Sequence, residues 1–427
     1  MNCRESKGGF GSSPSDVNLT GMFHKCIKRQ RSWPSRRAAE RAGNFMSDQQ
    51  STIQLSLDSG RLLGIEHLYV HIPFCPKICP YCSFYKEASD RNKVQGFLDA
   101  ILVELDRFGS DRLSIRTIFF GGGTPSALSP SQLDFLLSGL RDRLDLTSLT
   151  EWTLEMNPAT VSSEKAGLLL SLGVNRISMG VQSWNSEILH RLGRVHSAAQ
   201  ARRSYEILRS AGFENVNLDL IFGVPGQSLE QWMETLRETV ALGPDHISAY
   251  CLTYEEDTEF FRRFQTGEFR QNSAEDAEFF SATMDFLDKH GFAQYEISNY
   301  SQPGNECLHN LAYWQGRDYL GLGPSAFSTI GKSRWQNIAD TQSYIAQTLQ
   351  GRSARSFEEA LEEKTREAER IVFGLRTGNG ILRSKIAHQE SELHDLEKAG
   401  YLEPAGPYIR LTKAGRLVAD EIGALFV

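Results

Sequence analysis

Between residues 66 and 290 the chain repeats one pattern six times: a short β-rich run, a polar or glycine-rich segment, and an amphipathic helix. The β-rich runs are Leu68–Ile72, Arg116–Phe120, Trp152–Met156, Arg176–Val181, Val216–Phe222 and His246–Leu252. Over Lys93–Phe108 the apolar residues Val94, Phe97, Leu98, Ile101, Leu102 and Leu105 fall at the i, i+3, i+4, i+7 spacing of one helix face. Helices of the same kind are predicted at about Ser131–Leu140, Ser163–Leu172, Ala198–Ala211, Leu229–Leu242 and Ala274–His290. Ser129-Pro130 and Ser228 supply start signals, and Gly173, Gly212 and Gly243 follow helix ends. Such alternation predicts an α/β fold with a parallel sheet and outer helices, either an open doubly wound sheet or most of a β/α barrel.

In both folds, ligands gather at the carboxyl ends of the strands. The unusual polar residues stand there. A cysteine cluster follows the first run and Gly121-Gly122-Gly123-Thr124-Pro125 the second. Glu155 ends the third, with Asn157-Pro158 beyond it, and Gln182 ends the fourth. Asp219 lies inside the apolar fifth, and Tyr250 to Thr253 closes the sixth. Alone, the glycines could make a tight turn and Glu155 a solvated carboxylate. Six coincidences on one face describe a single site.

Seven cysteines in 427 residues do not make an extracellular disulfide framework. Three of them crowd into Cys75-Pro-Lys-Ile-Cys79-Pro-Tyr-Cys82. Structural zinc closes its tetrahedron with four ligands, and no fourth Cys or His stands at finger spacing. A [4Fe–4S] cluster has four irons, so three thiolates leave one iron open to a substrate or cofactor.

The Cys-x3-Cys-x2-Cys loop of Cys75, Cys79 and Cys82 resembles that of the radical S-adenosylmethionine (SAM) superfamily. The resemblance implies a partial (β/α)6 TIM-like barrel. It also implies a [4Fe–4S] cluster whose open iron chelates the amino and carboxylate groups of SAM, and an external electron donor for that cluster. Tyr81 matches the family's aromatic position near the adenine, Gly122, Gly123 and Thr124 its glycine-rich motif, and Glu155 its ribose-gripping acid. Glycine suits such a motif because it lets backbone approach a ligand closely. Gly173-Val-Asn-Arg-Ile-Ser-Met-Gly180-Val-Gln182-Ser and Leu192-Gly193-Arg194-Val-His196, with Tyr69, Gln182, Arg194 and Asp219, are similar to the coproporphyrinogen-oxidase-like branch, where these positions contact SAM. A carboxylate inside an apolar strand is costly unless paired, and Asp219 could instead be the partner of Arg176 or Arg194.

Two activities occur in that branch: oxygen-independent oxidative decarboxylation of coproporphyrinogen III in porphyrin biosynthesis, and haem delivery to haem-requiring acceptor proteins. The decarboxylating group carries a fourth cysteine two residues beyond the third; Phe84 stands there. That group also has a longer structured arm before its first strand. His309-Asn310-Leu-Ala-Tyr313-Trp314 matches the His-Asn-x-x-Tyr-Trp motif of the haem-chaperone group. The resemblance therefore favours a haem carrier over a dehydrogenase. Haem iron takes imidazole ligands and aromatic faces stack on the macrocycle, which makes His309 the candidate haem ligand and Tyr313 and Trp314 its neighbours. The competing role for His309 is a hydrogen-bonded wall of the barrel.

Residues 1–47 carry nine Lys/Arg against three acidic residues and no apolar periodicity. They read as a disordered leader, a start called too early with Met46 as the working start, or an organellar transit peptide. The first two fit a cytoplasmic protein, the last a mitochondrial one. The core barrel is expected over 48–335. A small helical, winged-helix-like domain is expected over 340–427, covering the barrel mouth. Its elements are a charged helix at Phe357–Thr377, short helices near Arg383–His388 and Glu390–Ala399, a hairpin and a final helix. A net charge of -7 argues against a broad nucleic-acid-binding surface, and the lack of a basic RNA-binding appendage against an RNA-modifying enzyme. No run approaches the roughly 18 apolar residues of a membrane span. A monomer or a homodimer fits equally.

Overall fold

Each of the six expected strands is present, with its ends within two residues of the predicted positions. The protein's structure, a computed structural model, describes residues 64–109 and 113–426. The basic leader and Met46 lie outside the described residues.

β1 (His67–Ile72) leads into β2 (Phe74–Cys75), which pairs across the cysteine loop with β3 (Glu87–Ala88). Then come α1 (Arg91–Asp106), β4 (Thr117–Gly122), α2 (Pro130–Arg143), β5 (Glu151–Met156), α3 (Ser163–Ser171) and β6 (Arg176–Gln182). They are followed by α4 (Ser186–Arg191), α5 (Ala198–Ala211), β7 (Asn215–Phe222), α6 (Leu229–Ala241), β8 (His246–Cys251), α7 (Glu259–Gln265) and α8 (Ser273–Lys289). The chain continues with β9 (Ala293–Glu296), β10 (Asn299–Ser301), α9 (Leu308–Trp314) and β11 (Leu320–Leu322). The nine-stranded sheet has the order β11-β1-β4-β5-β6-β7-β8-β10-β9. From β11 to β8 the strands run parallel; β10 and β9 are antiparallel additions. The helices start where the sequence signals stand: Ser129 and Ser228 each close a capping box with the glutamine three residues on.

Strand alternation sorts the side chains into two layers. Leu68, Val70, Ile118, Phe120, Trp152, Leu154, Ile177 and Met179 are fully buried in the apolar core. The opposite face is largely polar: His67, Thr117, Glu151, Arg176, Asn217 and His246 are all buried. The inner face of the sheet is therefore a hydrogen-bonded network, and this polar lining sets up a ligand site.

A second sheet consists of β12 (Phe327–Ile330), β13 (Ser333–Asn337) and β14 (Arg355–Ala360), with α10 (Thr341–Leu349) inserted between β13 and β14. It differs from expectation in two ways. The stretch read as one helix from Phe357 begins as β14, and only α11 (Glu363–Leu375) is helical. The sheet also crosses the expected 335–340 boundary, since β14 pairs with β13. The buried Glu104 of α1 accepts hydrogen bonds from Gly323 N (2.9 Å), Asn337 Nδ2 (2.7 Å) and Tyr344 Oη (2.5 Å), tying this region to the barrel.

The C-terminal module holds β15 (Ile381–Leu382), a 3-10 segment (Arg383–Gln389), α12 (Glu390–Lys398), β16 (Leu402–Ala405), β17 (Tyr408–Leu411), α13 (Lys413–Arg416) and α14 (Ala419–Leu425). Ile386, Leu393, Ile409 and Ile422 form a core shared with Ile371 and Leu375 of α11 and with Ile297 between β9 and β10. α11 joins it to the rest through two buried ion pairs. Arg334 of β13 donates to Glu369 at 2.7 and 2.8 Å, and Arg376 pairs with Asp420. Among the described residues no helix is long and apolar enough to cross a membrane.

Candidate functional site

The cysteine loop is clamped on both sides. Gly123 N donates to Ile72 O (2.7 Å) and Thr124 N to Phe74 O (2.9 Å), which fastens the glycine-rich turn to the loop's entrance. On the other side Gly193 has φ +65°, and a Cβ there would lie 2.7 Å from Pro80 Cδ. Only glycine lets the Leu192-Gly193-Arg194 turn approach so closely. Tyr81 packs with Ile188, Leu192 and Phe260 in a small apolar cluster, and Phe260 N donates to Pro80 O (3.1 Å). The sequence reading did not include α7, the helix that carries Phe260.

The three thiols are near one another but are not equivalent. Cys75 is buried and accepts from Thr124 Oγ1 at 3.5 Å. Burial pushes its thiol up to about 11, with the Thr124 hydrogen bond working against that. Cys79 accepts from Arg194 Nη1 at 3.4 Å. Arg194 also donates to Gly180 O at 2.8 Å, while its buried Nε has no partner among the described residues. Among the described residues no three Cys, His, Asp or Glu side chains converge closely enough to hold one metal ion. The loop thus gathers three thiols beside a buried guanidinium.

A cavity of about 840 Å³ opens from this loop across the strand ends. It is lined by Tyr69, Tyr81, Gly122, Gly123, Thr124, Glu155, Gln182, Arg194 and Asp219, so these sequence-predicted residues come together on one surface. Gln182 has φ +69°, and the β6–β7 register slips between Gly180 and Gln182. That bulge turns Gln182 into the cavity at the cost of backbone strain. Gly122 has φ +106°, and a Cβ there would sit 2.5 Å from the His71 ring.

The polar side chains are held by neutral partners. Asp219 accepts from Ser178 Oγ (3.0 Å) and Asn217 Nδ2 (2.8 Å), and neither Arg176 nor Arg194 forms an ion pair with it. Asn217 Oδ1 accepts from His246 Nδ1 (2.7 Å), whose Nε2 meets Tyr295 Oη (2.8 Å). His71 Nε2 donates to Tyr85 O (2.9 Å), which leaves Nδ1 to accept from Tyr69 Oη at 3.0 Å.

His309 does not stand in the cavity. It is buried, with Nδ1 2.9 Å from Thr117 Oγ1 and its ring 5.3 Å from that of Phe119. The cause is the docking of α9 on Glu151, whose carboxylate accepts from Leu308 N (2.7 Å), His309 N (3.1 Å) and Cys307 Sγ (3.3 Å). That turns His309 into the barrel wall and presents Asn310, Tyr313 and Trp314 to the cavity at i, i+3, i+4 spacing. The cavity continues to α11 and α14, whose residues the sequence reading had not placed in a site. Phe84, at the position of the missing fourth cysteine, also lines it.

Burial lowers three histidines of this region: His71 to about 4, His196 to about 4 and His309 to about 3. Each is neutral in the folded protein and takes up a proton on unfolding below pH 6.5. Stability is therefore intact above pH 6.5 and falls as pH drops toward 4, by up to ~1.4 kcal/mol per pH unit for each histidine. Denaturant midpoints at pH 7 and pH 5 should show the loss.

Comparison with known proteins places this geometry. The model of the radical SAM superfamily matches residues 69–239. Heme chaperone HemW of Bacillus subtilis is 35% identical, over 84% of this chain and 98% of the relative. HemW of Lactococcus lactis is 37% identical, over 75% and 84%. Among solved structures, coproporphyrinogen III oxidase (HemN) from Escherichia coli superposes with a TM-score of 0.75 at 25% identity, covering 86% of this chain and 91% of that one. With a barrel of this type and relatives matched along nearly their full length, the chain belongs to the heme chaperone HemW family of the radical SAM superfamily.

Proposed function

We propose that this protein is a haem chaperone that carries a [4Fe–4S] cluster and SAM and hands haem to acceptor proteins. The observation that supports this best is the continuity of one cavity from the cysteine loop to the aromatic pair Tyr313 and Trp314. A site for a nucleotide alone would end near Asp219; this one goes on, and its far part is lined by rings.

In this reading Cys75, Cys79 and Cys82 hold the cluster. When bound, the cluster supplies one open iron for SAM and a single electron. Thr124 and Arg194 donate toward the sulfurs and offset their charge. Gly122 and Gly123 let backbone approach the methionine end, Glu155 takes the ribose hydroxyls, and Tyr81 packs near the base. Gln182 and Asp219 close the site as hydrogen-bonding walls, and Tyr69 is held by His71. His309 acts here as a structural wall rather than as the haem ligand. The protein works in the cytoplasm, with a mitochondrial site as the alternative if residues 1–47 direct it there.

Haem titration of the purified protein, followed by absorbance, should show saturable binding. Incubation with coproporphyrinogen III and SAM under anaerobic reducing conditions should yield no protoporphyrinogen. Robust decarboxylation in that assay would overturn the reading in favour of the oxidase. The SAM assignment has its own test. Gly122→Ala forces a Cβ against the His71 ring in a backbone region that alanine avoids, at about 1–3 kcal/mol. SAM binding by equilibrium dialysis should fall by roughly tenfold or more; wild-type binding would remove Gly122 from the site.

A further inference from the structure

The far end of the cavity is built by one face of α11 opposite the end of α9. Lys364, Ala368, Val372 and Arg376 line it at strict i, i+4 spacing. The first and last lie about 18 Å apart along the helix. Across from them stand Trp314 and Tyr313, with ring centroids 5.2 Å apart, and Phe373 closes the corner at 5.8 Å from Trp314. The slot is thus small and aliphatic on one side, aromatic on the other, with a cation at each end.

The two cations are not alike. Arg376 is buried, lies 5.0 Å over the Trp314 ring, and has its charge answered by Asp420. Lys364 is exposed and has no hydrogen bond or ion pair among the described residues. Its acidic neighbour Glu363 is taken by Arg370 at 3.3 Å, and Glu369 is spent on Arg334. The available positive charge is therefore on the exposed Lys364, and the aromatic end holds only the paired Arg376.

The geometry points to this slot as the seat of a planar, dianionic tetrapyrrole: the ring lies along Ala368–Val372 with an edge toward the Tyr313–Trp314 pair, and the propionates lie beside the exposed Lys364 and the Thr365 hydroxyl. This rests on the haem-carrier reading and adds where, and which way round, the macrocycle lies. It also makes α11, on the edge of the C-terminal module, part of the binding site.

The test uses the full-length protein and haem titration by absorbance, with SAM binding by equilibrium dialysis on the same samples. Ala368→Phe fills the slot and should weaken haem binding by more than about tenfold with SAM binding unchanged. Lys364→Glu, at an exposed position that folding does not use, should weaken haem binding about three- to fivefold. The same variant should leave binding of the dimethyl ester of the porphyrin's iron complex at the wild-type level, because the ester carries no propionate charge. Wild-type haem affinity in both variants would overturn the seat. Absence of haem binding by the wild-type protein would refute the functional reading itself, so the two failures are distinct.

Discussion

Cys75→Ala, Cys79→Ala and Cys82→Ala variants should each purify with cluster iron reduced from about four atoms per chain to well below one. In a four-iron cluster each thiolate holds a separate iron, so each loss removes one anchor. Removing one leaves two of three anchors, and no spare cysteine stands at the position of Phe84. Cys79 and Cys82 are only part-buried, so with wild type and variants both cluster-free their loss should leave global stability within about 0.5 kcal/mol. Iron analysis and anaerobic spectroscopy, read against circular dichroism for folding, make the measurement. Full iron in any single variant, or stoichiometric zinc in the wild type, would refute the assignment.

The largest structural loss is expected from Glu369→Leu. Glu369 and Arg334 are almost completely buried and paired through two hydrogen bonds. Removing the carboxylate strands the guanidinium with only Glu359, at 3.3 Å, to answer it. Breaking a buried pair in this way costs about 3–5 kcal/mol. Replacing both partners, as Arg334→Met with Glu369→Leu, should recover most of that loss, because no charge is then left desolvated. Denaturant unfolding of the four proteins forms a double-mutant cycle; an unchanged Glu369→Leu midpoint would show that the pair contributes nothing.

The repeat was legible because each core strand has a strong local signature, an apolar run closed by a polar or glycine-rich turn. The cysteine loop and strand-end residues were legible for the same reason: they are close in sequence to the strands that aim them. The missed elements lack such a signal. β11 is three residues long and is recruited beside β1 from more than 200 residues away. β14, Arg-Ser-Phe-Glu-Glu-Ala, is an edge strand with no fully buried position, so its charges resembled the helix that follows. The two roles left open for His309 could not be separated in sequence, because a one-residue step along a helix turns a side chain by about 100°. Only Glu151, far away in sequence, decides which face of α9 turns inward. The i, i+4 stripe on α11 was present in the sequence, but nothing there said which surface it would meet.

α11 is bolted at its middle and at its C-terminal end, to the barrel side by Arg334–Glu369 and to the terminal module by Arg376–Asp420. Swinging this helix outward would leave a desolvated guanidinium behind, a penalty far above thermal energy. Cargo enclosed along it would therefore leave slowly unaided. An acceptor that supplies substitute carboxylates to those arginines could act as the key, coupling unloading to docking rather than to chance opening.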